Sequence, residues 1–335
     1  MSLLRISFAC WPYDRVEALR DGEVTPEGID LNFIPSHPGD TFLRMLDHRE
    51  FEASEMSMSS YLMSRELDDP FVAIPVFTSR TFRHNGLFVN TKSGIKEPQD
   101  LVGKRVGLPE YQITAALWIR GILQHEYGVH PAKIAWFAER WGRGMRSHGG
   151  ATGFKPPPGV SIQTIPNGES QFSLLVEGKL DAAFVIQDIP SAICRSSLRD
   201  FTGPVQNIRR LFEDYKTVEV DYYRRTGLFP IMHTVVLRRD VYEQNRWAAQ
   251  SLYRAFCDAK EKFYKNIGEW ELFSFPWIRH ALEEQRALMG DDPYPYGLGA
   301  NRKVVEAICQ YSFEQGLTKT RATPESLFAP STLDT

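Results

Sequence analysis

The sequence predicts an α/β fold with two lobes. Strand-like and helix-like segments alternate almost from the first residue, which favours sheets covered by helices. One helix–turn–strand pattern occurs twice, at residues 42–53 and 172–182. Two similar lobes would produce it, and so would two unrelated helix–strand units. With 335 residues, the chain is also long enough to bury two separate cores.

The predicted elements follow in chain order. First-lobe strands are expected at residues 4–9, 31–35, 51–55, 72–77 and 87–90, with a helix capped by Asp40 after the second of them. The second lobe is expected to begin after a strand at residues 104–108 and to run through strands at 133–137, 161–166 and 180–186. A strand at 234–237 then returns the chain to the first lobe. We therefore assign residues 1–107 and 234–335 to a discontinuous lobe 1 and residues 108–233 to lobe 2, with two crossings between them.

Helix boundaries carry clear local signals. Gly178 and Gly128 stand where a left-handed residue ends a helix, and Gly128 follows a helix that runs from Thr114 to about Tyr127. Residues 247–267 form a long amphipathic helix. Further along the chain, Asn301 caps a helix that Gly316 ends, while Thr323 and Pro324 open the last one. The segment 141–159 is rich in Gly, Arg and Pro and is predicted to be a loop.

Composition excludes several classes of protein. Hydrophobic residues are 42% and charged residues 24% of the chain, and the formal net charge is -3 without a long run of one sign. Basic clustering, which nucleic-acid and membrane-surface binding need, is absent from the sequence. No apolar stretch approaches the roughly 20 residues of a membrane span. We expect neither nucleic acid nor a membrane as a partner.

The N terminus and the cysteines predict a cytoplasmic protein. Arg5 interrupts the first apolar run, so this run is a strand rather than a secretory signal. The four cysteines are far apart and form no CxxC pair. Reduced thiols therefore fit better than disulfides or a cysteine metal site.

Several segments resemble one family. Residues 101–121, LVGKRVGLPEYQITAALWIRG, resemble the start of the second lobe in type 2 periplasmic-binding-protein folds and, more narrowly, the 4,5-dihydroxyphthalate decarboxylase family. The segments that support the resemblance are WPYDR (11–15), EMSMSSY (55–61), SRTFRH (79–84), TGLFPIMH (226–233) and DPYPYG (292–297). The segment RGMRSHGGATG (143–153) is longer than the family's loop, and a different substrate would follow if it lines the cleft.

The resemblance implies a two-lobed fold with a ligand cleft between the lobes, and a carboxy-lyase activity. The implied reaction converts 4,5-dihydroxyphthalate to protocatechuate and CO2 without a redox cofactor. The protein must then bind a dianion, assist deprotonation of a phenol and supply a proton to the ring. A small aromatic dicarboxylate is thus the expected partner.

The carboxylate end of the ligand has candidates in both lobes. The turn with Glu110 and Tyr111 precedes the helix opened by Thr114, where free N–H groups suit an anion. Thr114 is either a cap alone or a cap and a ligand, and Glu110 is either a proton donor or turned outward. Arg80 precedes His84 at a predicted strand end, where it can clamp a carboxylate or simply be solvated.

Proton transfer and ligand orientation have their own candidates. His84 and His233 are the expected acid and base, because an unperturbed histidine titrates near neutrality; a structural role is the alternative for each. Ser57 and Ser59 follow one strand of the repeated pattern, and they either orient the substrate or cap a helix. The candidates that complete the predicted substrate-binding set are Gln187, after the other strand of the pattern, and Tyr13, in the WPYDR segment.

Alternatives stay open at this point. No cofactor is expected, yet a catechol can chelate a cation, and His84 with His233 can complete such a site although the sequence has no HExxH or HxH motif. The main alternative function is a non-catalytic cytosolic binding protein or sensor for a small acid. An enzyme on the pathway to thiamin pyrimidine is disfavoured by the lack of a Cys-rich cluster. The aromatic segment 294–296 either serves a homo-oligomer or packs the last helices.

Overall fold

The computed structural model describes residues 2–139, 155, 157–166, 168–186, 207–269 and 273–335. The chain divides into two compact units. The first unit consists of Met1–Thr81, Gly227–Cys309 and Ala322–Thr335, and the second of Phe82–Thr226 and Gln310–Arg321. Each unit has a mixed sheet with helices, which confirms the predicted α/β class.

Ten of the strands lie close to their predicted positions, and the strand Ile208–Arg210 was not predicted. In chain order they are β1 Leu4–Cys10, β2 Ile29–Pro35, β3 Ala53–Ser57, β4 Phe71–Arg80, β5 Leu87–Asn90, β6 Arg105–Leu108, β7 Ala135–Ala138, β8 Ser161–Thr164, β9 Ala182–Phe184, β10 Ile208–Arg210 and β11 Ile231–Arg238.

The α-helices of the described ranges connect and cover these strands. They are α1 Glu17–Arg20, α2 Pro38–His48, α3 Met58–Ser64, α4 Thr114–Tyr127, α5 Gln171–Val176, α6 Tyr215–Thr226, α7 Arg239–Gln244, α8 Trp247–Asn266, α9 Ile278–Met289, α10 Leu298–Glu314 and α11 Pro324–Leu327. None of them has the length and apolar character that a bilayer-spanning helix needs, within the described part of the chain.

The first unit is built on a sheet of order β2-β1-β3-β11-β4. β1 is parallel to β2 and β3, whereas β11 runs antiparallel to its neighbours β3 and β4. Helix α8 packs on this sheet through its apolar face: Leu252 and Phe256 are buried, and the Phe256 ring meets Phe8 edge-on at 5.4 Å. The central strands β3 and β11 are thus held between β1 and β4.

The second unit has a sheet of order β10-β5-β9-β6-β7-β8. β6, β7, β8 and β9 pair in parallel, and β5 is antiparallel to β9 and β10. Helix α4 is buried on all sides over its first ten residues, as expected of a helix inside a core. Its close packing depends on Gly121, which leaves room for the Tyr311 ring.

The division between the units differs from the predicted lobes. β5 and β6 were assigned to lobe 1 up to residue 107, but both pair inside the second sheet. β11 begins before residue 234 and pairs Ile231 with Arg80 of the first sheet. Residues 310–321 also join the second unit. Strand pairing decides these assignments, and pairing between distant segments leaves no local signal in the sequence.

The predicted C-terminal glycines of helices are confirmed, whereas two predicted N-terminal caps are wrong. Gly128 and Gly178 have left-handed φ values of 70° and 75°, as predicted. Helix α2, however, begins at Pro38 and is capped by His37 rather than Asp40. Asn301 lies inside α10, where its amide donates to the carbonyls of Pro295 and Gly297 instead of capping the helix. Much of the predicted loop 141–159 falls outside the described residues.

Candidate active site

Three neighbouring strands of the first unit bring polar side chains together. His233 of β11 is paired in register with Ser57 of β3 on one side and Ser79 of β4 on the other. Alternate residues of a strand point to the same face, so Glu55 shares the face of Ser57. The site therefore forms where the central strands meet.

Glu55 is the centre of this cluster. It is fully buried. Its Oε1 accepts hydrogen bonds from the Tyr13 hydroxyl at 2.6 Å and the Thr78 hydroxyl at 2.9 Å. Its Oε2 accepts from the Trp11 amide at 3.1 Å. β1 ends at Cys10, so the chain leaving that strand supplies Trp11 and Tyr13 to the carboxylate.

His233 is oriented by this carboxylate. Its Nδ1 lies 2.7 Å from Glu55 Oε1, and the Tyr13 hydroxyl is 3.4 Å from the same nitrogen. The ring of Phe42 contacts the imidazole edge-on at 4.9 Å. The His233 side chain keeps 18% of its surface exposed, and Nε2 has no hydrogen-bond partner among the residues that the structure describes. Nε2 is thus the nitrogen available for chemistry.

The cluster keeps Glu55 ionised. Burial alone would raise the pKa of this carboxyl, but the charge of His233 and the hydrogen bonds from His233, Tyr13 and Trp11 together lower it below its ordinary value. Burial and the Glu55 charge raise the pKa of Tyr13 far above its ordinary value, so its phenol stays a donor.

The arrangement suits proton transfer. A carboxylate that accepts from Nδ1–H fixes the tautomer and stabilises the imidazolium that forms when Nε2 takes up a proton. The same carboxylate–histidine pair is also how proteins orient a metal ligand. Within the described ranges, no group of three or more His, Cys, Asp or Glu side chains is arranged to hold a metal ion.

Two of the predicted site residues in the first unit contact Glu55. The other three, Ser57, Ser59 and Arg80, form different hydrogen bonds. Tyr13 and His233 both contact Glu55. Ser57 caps helix α3, where its Oγ accepts from the Ser60 amide and lies 3.2 Å from the Ser59 hydroxyl. Capping, the alternative considered for these serines, is confirmed for Ser57; their substrate contacts stay a prediction.

Arg80 is buried rather than solvated. Its guanidinium donates to the carbonyls of Phe229 and Pro295 at 3.1 and 3.0 Å, and to the side chain of Asn301. These bonds join the end of β4 to the chain before β11 and to the start of α10. The predicted role as a carboxylate clamp stays a prediction.

The remaining described candidates lie in the second unit. Glu110, Tyr111 and Thr114 follow β6 and are buried. Thr114 is the first residue of α4, with Ile113 at the cap position. Glu110 accepts a hydrogen bond from the Gln112 amide, and the Tyr111 ring lies under the Arg120 guanidinium. Their predicted contacts with a ligand stay predictions, and Gln187 lies outside the described residues.

His84 occupies an apolar environment in the second unit. It is fully buried between the rings of Phe212 and Tyr222. Its Nδ1 is 4.0 Å from Glu219, and neither ring nitrogen has a hydrogen-bond partner in the described ranges. Burial, assisted by the charge of Arg225, lowers its pKa to about 4. His84 is therefore neutral near neutral pH, and its predicted catalytic role is untested.

Sequence reasoning missed Glu55 and Thr78 as site residues. The signal for Glu55 was present, since a charged residue in a strand with the sequence ASEMS needs a partner if the strand is buried. The whole strand is indeed buried. Thr78 carried no signal of its own, because a threonine is an ordinary strand residue.

Comparison with known proteins identifies close relatives. The chain is 34% identical to the 4,5-dihydroxyphthalate decarboxylase of Comamonas testosteroni over 337 residues, which covers 100% of this chain and 99% of the relative. It is 32% identical to the 4,5-dihydroxyphthalate decarboxylase of Pseudomonas putida over 225 residues, covering 67% and 83% of the two chains. A family model described as NMT1/THI5 like matches residues 25–137.

Solved structures confirm the fold. The periplasmic aliphatic sulphonate binding protein of Escherichia coli superposes with a TM-score of 0.55 at 11% identity, covering 100% of both chains. The ligand-binding component of an ABC-type import system from Staphylococcus aureus, with zinc bound, gives a TM-score of 0.52 at 11% identity, covering 99% of this chain and 98% of the other. The predicted periplasmic-binding-protein-like fold is thereby confirmed. By its full-length identity with the enzyme of Comamonas testosteroni, the chain belongs to the 4,5-dihydroxyphthalate decarboxylase family.

Proposed function

We propose that this chain is a carboxy-lyase that decarboxylates a hydroxylated aromatic dicarboxylate, with 4,5-dihydroxyphthalate as the first substrate to test. The observation that carries the proposal is the pair of Glu55 and His233: Nε2 has no partner in the described part of the chain, and the His233 side chain keeps 18% of its surface exposed. Family membership supplies the reaction class. Protocatechuate and CO2 are the expected products.

The reaction needs one proton to move onto the ring. Each carboxylate of 4,5-dihydroxyphthalate lies para to a phenolic hydroxyl. When that phenol loses its proton, the ring carbon bearing the carboxylate becomes basic and accepts a proton. The bond to the carboxylate then breaks, its electron pair returns to the ring, CO2 leaves, and a proton from water restores the phenol.

We assign this proton transfer to His233 Nε2. A neutral Nε2 can accept the phenol proton, and a protonated one can donate to the ring carbon. Glu55 stabilises the protonated state, and Tyr13 and Thr78 hold Glu55 in place. His84 is a weaker candidate because it is enclosed by apolar rings and neutral near neutral pH.

The alternative is a binding protein without turnover. Its support is the fold likeness to proteins whose names describe ligand binding. A histidine held by a buried carboxylate is not required for binding alone, which favours the enzyme. A cytoplasmic location and a place in phthalate breakdown are further parts of the proposal, and they rest on the sequence and the relatives only.

One assay distinguishes the decarboxylase from the binding protein. Purified protein is incubated with 4,5-dihydroxyphthalate, and CO2 release is followed with and without a chelator. We expect turnover that chelation does not change, and a fall in kcat of about 10²-fold or more in His233→Ala. His125→Ala is the matched control, since His125 is paired with Glu314 in the second unit and is expected to keep wild-type kcat.

Three results would change the proposal. Binding without CO2 release would remove decarboxylation of this substrate. Loss of turnover on chelation would require a metal at the site. A normal rate in His233→Ala together with a slow rate in His84→Ala would move the proton transfer to His84.

A further inference from the structure

The first unit buries a second charged side chain close to Glu55. Arg15 lies in the short helical turn Asp14–Val16 that follows β1, and it is 8% exposed. Its backbone N–H and its Nη1 both donate to Asp14 Oδ1 at 2.7 Å, although the Asp14 side chain is itself half exposed. An ion pair with such an acid does not require burial of the arginine, and burial costs the guanidinium its hydration. The burial of Arg15 therefore has another reason.

Arg15 contacts both residues whose hydroxyls donate to Glu55 Oε1. Its Nη2 donates to the Thr78 carbonyl at 3.0 Å, and its guanidinium carbon lies 5.6 Å from the centroid of the Tyr13 ring. The hydroxyls of Thr78 and Tyr13 in turn donate to Oε1 at 2.9 and 2.6 Å. The guanidinium also lies over the Tyr294 ring at 4.0 Å, which favours one orientation of its plane. Arg15 thus acts on Glu55 through both of its hydroxyl donors.

The strand that carries Thr78 is irregular at this point. His233 of β11 pairs with Ser79 of β4. The next pair, Val235 with Ile74, lies two residues further along β11 but five residues away along β4. The extra residues form a bulge, which disturbs the ladder of hydrogen bonds and re-aims side chains. Because Thr78 lies in this bulge, the regular ladder does not fix its position.

Contacts from outside the sheet hold the bulge instead. The Pro75 carbonyl accepts a hydrogen bond from the Gly297 amide at 2.8 Å, and the Thr78 carbonyl accepts the bond from Arg15. The bond from Arg15 is made to the residue that also donates to Glu55. Loss of the arginine side chain therefore loosens Thr78 at the carboxylate, while the Gly297 bond remains at the other end of the bulge.

We propose that Arg15 is a positioning residue for the proton transfer at His233. It holds Thr78 and Tyr13 on Glu55, and the carboxylate in turn sets the proton affinity of the imidazole. None of the hydrogen bonds and ring contacts of Arg15 in the described ranges involves His233, so the effect passes through Glu55. The proposal rests on the proposed function, because it assigns Arg15 to that same site.

The direction of the effect follows from the charge on the carboxylate. Each donor to Oε1 stabilises the negative charge and weakens its attraction for the imidazolium. Without Arg15 both hydroxyl donors loosen, and a positive charge close to the pair is lost as well. His233 should therefore hold its proton more tightly when the arginine is removed.

Other ionisable groups near the pair do not obscure this effect. Burial and the charge of Glu55 raise the pKa of Cys10 and of Tyr13, so both groups stay protonated. Asp14 is the acid paired with the arginine, and its negative charge acts in the same direction once the arginine is gone. A titration of the imidazole therefore reports on the carboxylate.

The test combines an NMR titration with steady-state kinetics. The imidazole signal of His233, identified by its absence in His233→Ala, is followed against pH in the ligand-free protein, and CO2 release is measured with 4,5-dihydroxyphthalate. We expect Arg15→Met to move the midpoint of this titration to higher pH. It should also lower kcat by about tenfold, against about 10²-fold for loss of His233 itself, with little change in KM. Arg15→Lys keeps the charge and one donor, so both of its values should be intermediate.

Arg20→Met is the matched control. Arg20 also pairs with the acid next to it in sequence, but it lies at the surface in α1, and its hydrogen bonds go to Asp21 and Glu17. Neither the midpoint of the His233 titration nor kcat should change in this variant.

The outcomes separate positioning from a structural role and from substrate binding. A wild-type midpoint in folded Arg15→Met overturns the proposal, even with a lower Tm, because the arginine would then serve only the fold. A raised KM with normal kcat also overturns it, since Arg15 would then bind the substrate. If Arg15→Met does not fold, Arg15→Lys decides by the same two measurements. A wild type that releases no CO2 contradicts the proposed function, and the NMR midpoints then still decide whether Arg15 acts on His233.

Discussion

Glu55 shows how a buried charge can serve as the support of a reactive side chain. The carboxylate has no exposed surface, and each of its oxygens is occupied by donors from separate segments of the first unit. Such a group is costly to bury alone, yet it stays ionised because the donors hold its pKa below the ordinary value. The charge then acts on His233, which is the only neighbour in the cluster with an available nitrogen in the described structure.

The first prediction at this scale concerns the charge of Glu55. Glu55→Gln keeps an acceptor for His233 Nδ1 but removes the charge that stabilises the imidazolium. We expect kcat for CO2 release to fall by about 10²-fold, because proton transfer through His233 is impaired. KM should change little, since the fully buried carboxylate offers no surface to a ligand. Steady-state kinetics on 4,5-dihydroxyphthalate measure both constants.

Thr78→Val is the matched control for this variant. It removes one hydroxyl donor to the same carboxylate oxygen and leaves the charge in place. A smaller loss of kcat than in Glu55→Gln is expected. Wild-type kcat in Glu55→Gln, with the protein folded, would mean that the carboxylate has only a structural role.

Sequence reasoning found part of this site because two of its members have distinctive chemistry. His233 stands out as a titratable group in a segment that resembles the family, and Tyr13 lies in another such segment. Glu55 was not assigned, although it lies in a quoted segment, because its burial depends on strands from distant parts of the chain. The ligand role expected for Arg80 stays a prediction, and its guanidinium donates to backbone carbonyls that only the fold brings near.

At the scale of elements, the packing of α4 depends on a close approach between Gly121 and Tyr311 that the sequence of the helix does not predict. A Cβ atom added to Gly121 would lie 2.1 Å from the Tyr311 side chain, which is closer than any real contact. The helix passes Tyr311 in the second unit with no space for even one methyl group. A glycine in a helix normally costs stability, so its presence here has a packing reason.

Gly121→Ala should therefore destabilise the protein. Alanine gains about 1 kcal/mol in helix propensity over glycine, but overpacking a core costs about 1–3 kcal/mol or more. We expect a lower Tm than in the wild type, measured by calorimetry. Gly299→Ala is the control in another helix, because its nearest atom would be Thr335 O at an ordinary 3.5 Å, and its Tm should not fall. A raised Tm in Gly121→Ala would contradict the close approach.

Element positions were predictable where the signals are local. The C-terminal end of α4 at Gly128 and the strand positions follow from short stretches of sequence. The partner of each strand does not follow from such stretches. Because β5 pairs with β9 in antiparallel orientation, the division between the units does not fall at residue 107. A helix cap on His37 was also missed, since histidine is an uncommon cap.

At the scale of the whole molecule, the chain passes between the two units more often than predicted. The unit boundaries fall after Thr81, Thr226, Cys309 and Arg321. Segments that are neighbours in sequence thus contribute to separate cores. The measured stability of the chain therefore depends on both cores. Buried titratable groups in either unit consequently affect the pH dependence of the global stability.

Two buried groups of the second unit have opposite effects on that dependence. Burial lowers the pKa of His84 from 6.5 to about 4, so the unfolded chain takes up the proton first and stability is lost as pH falls through this range. Burial raises the pKa of Glu219 from 4.5 to about 7, so the folded chain binds the proton more tightly and stability is lost as pH rises. In the wild type the two contributions largely cancel between pH 4.5 and 6.5.

Single variants should expose each contribution separately. Glu219→Gln keeps the acceptor for the Asn85 amide but does not titrate, so its stability relative to the wild type should fall as the pH is lowered from 7 to 5. His84→Leu fits the surrounding Phe212 and Tyr222 rings and should show the opposite trend. Each difference is at most about 3 kcal/mol, from shifts of this size at about 1.4 kcal/mol per pKa unit. Calorimetric unfolding at both pH values measures the trends, and parallel curves for both variants and the wild type would mean that neither group titrates abnormally.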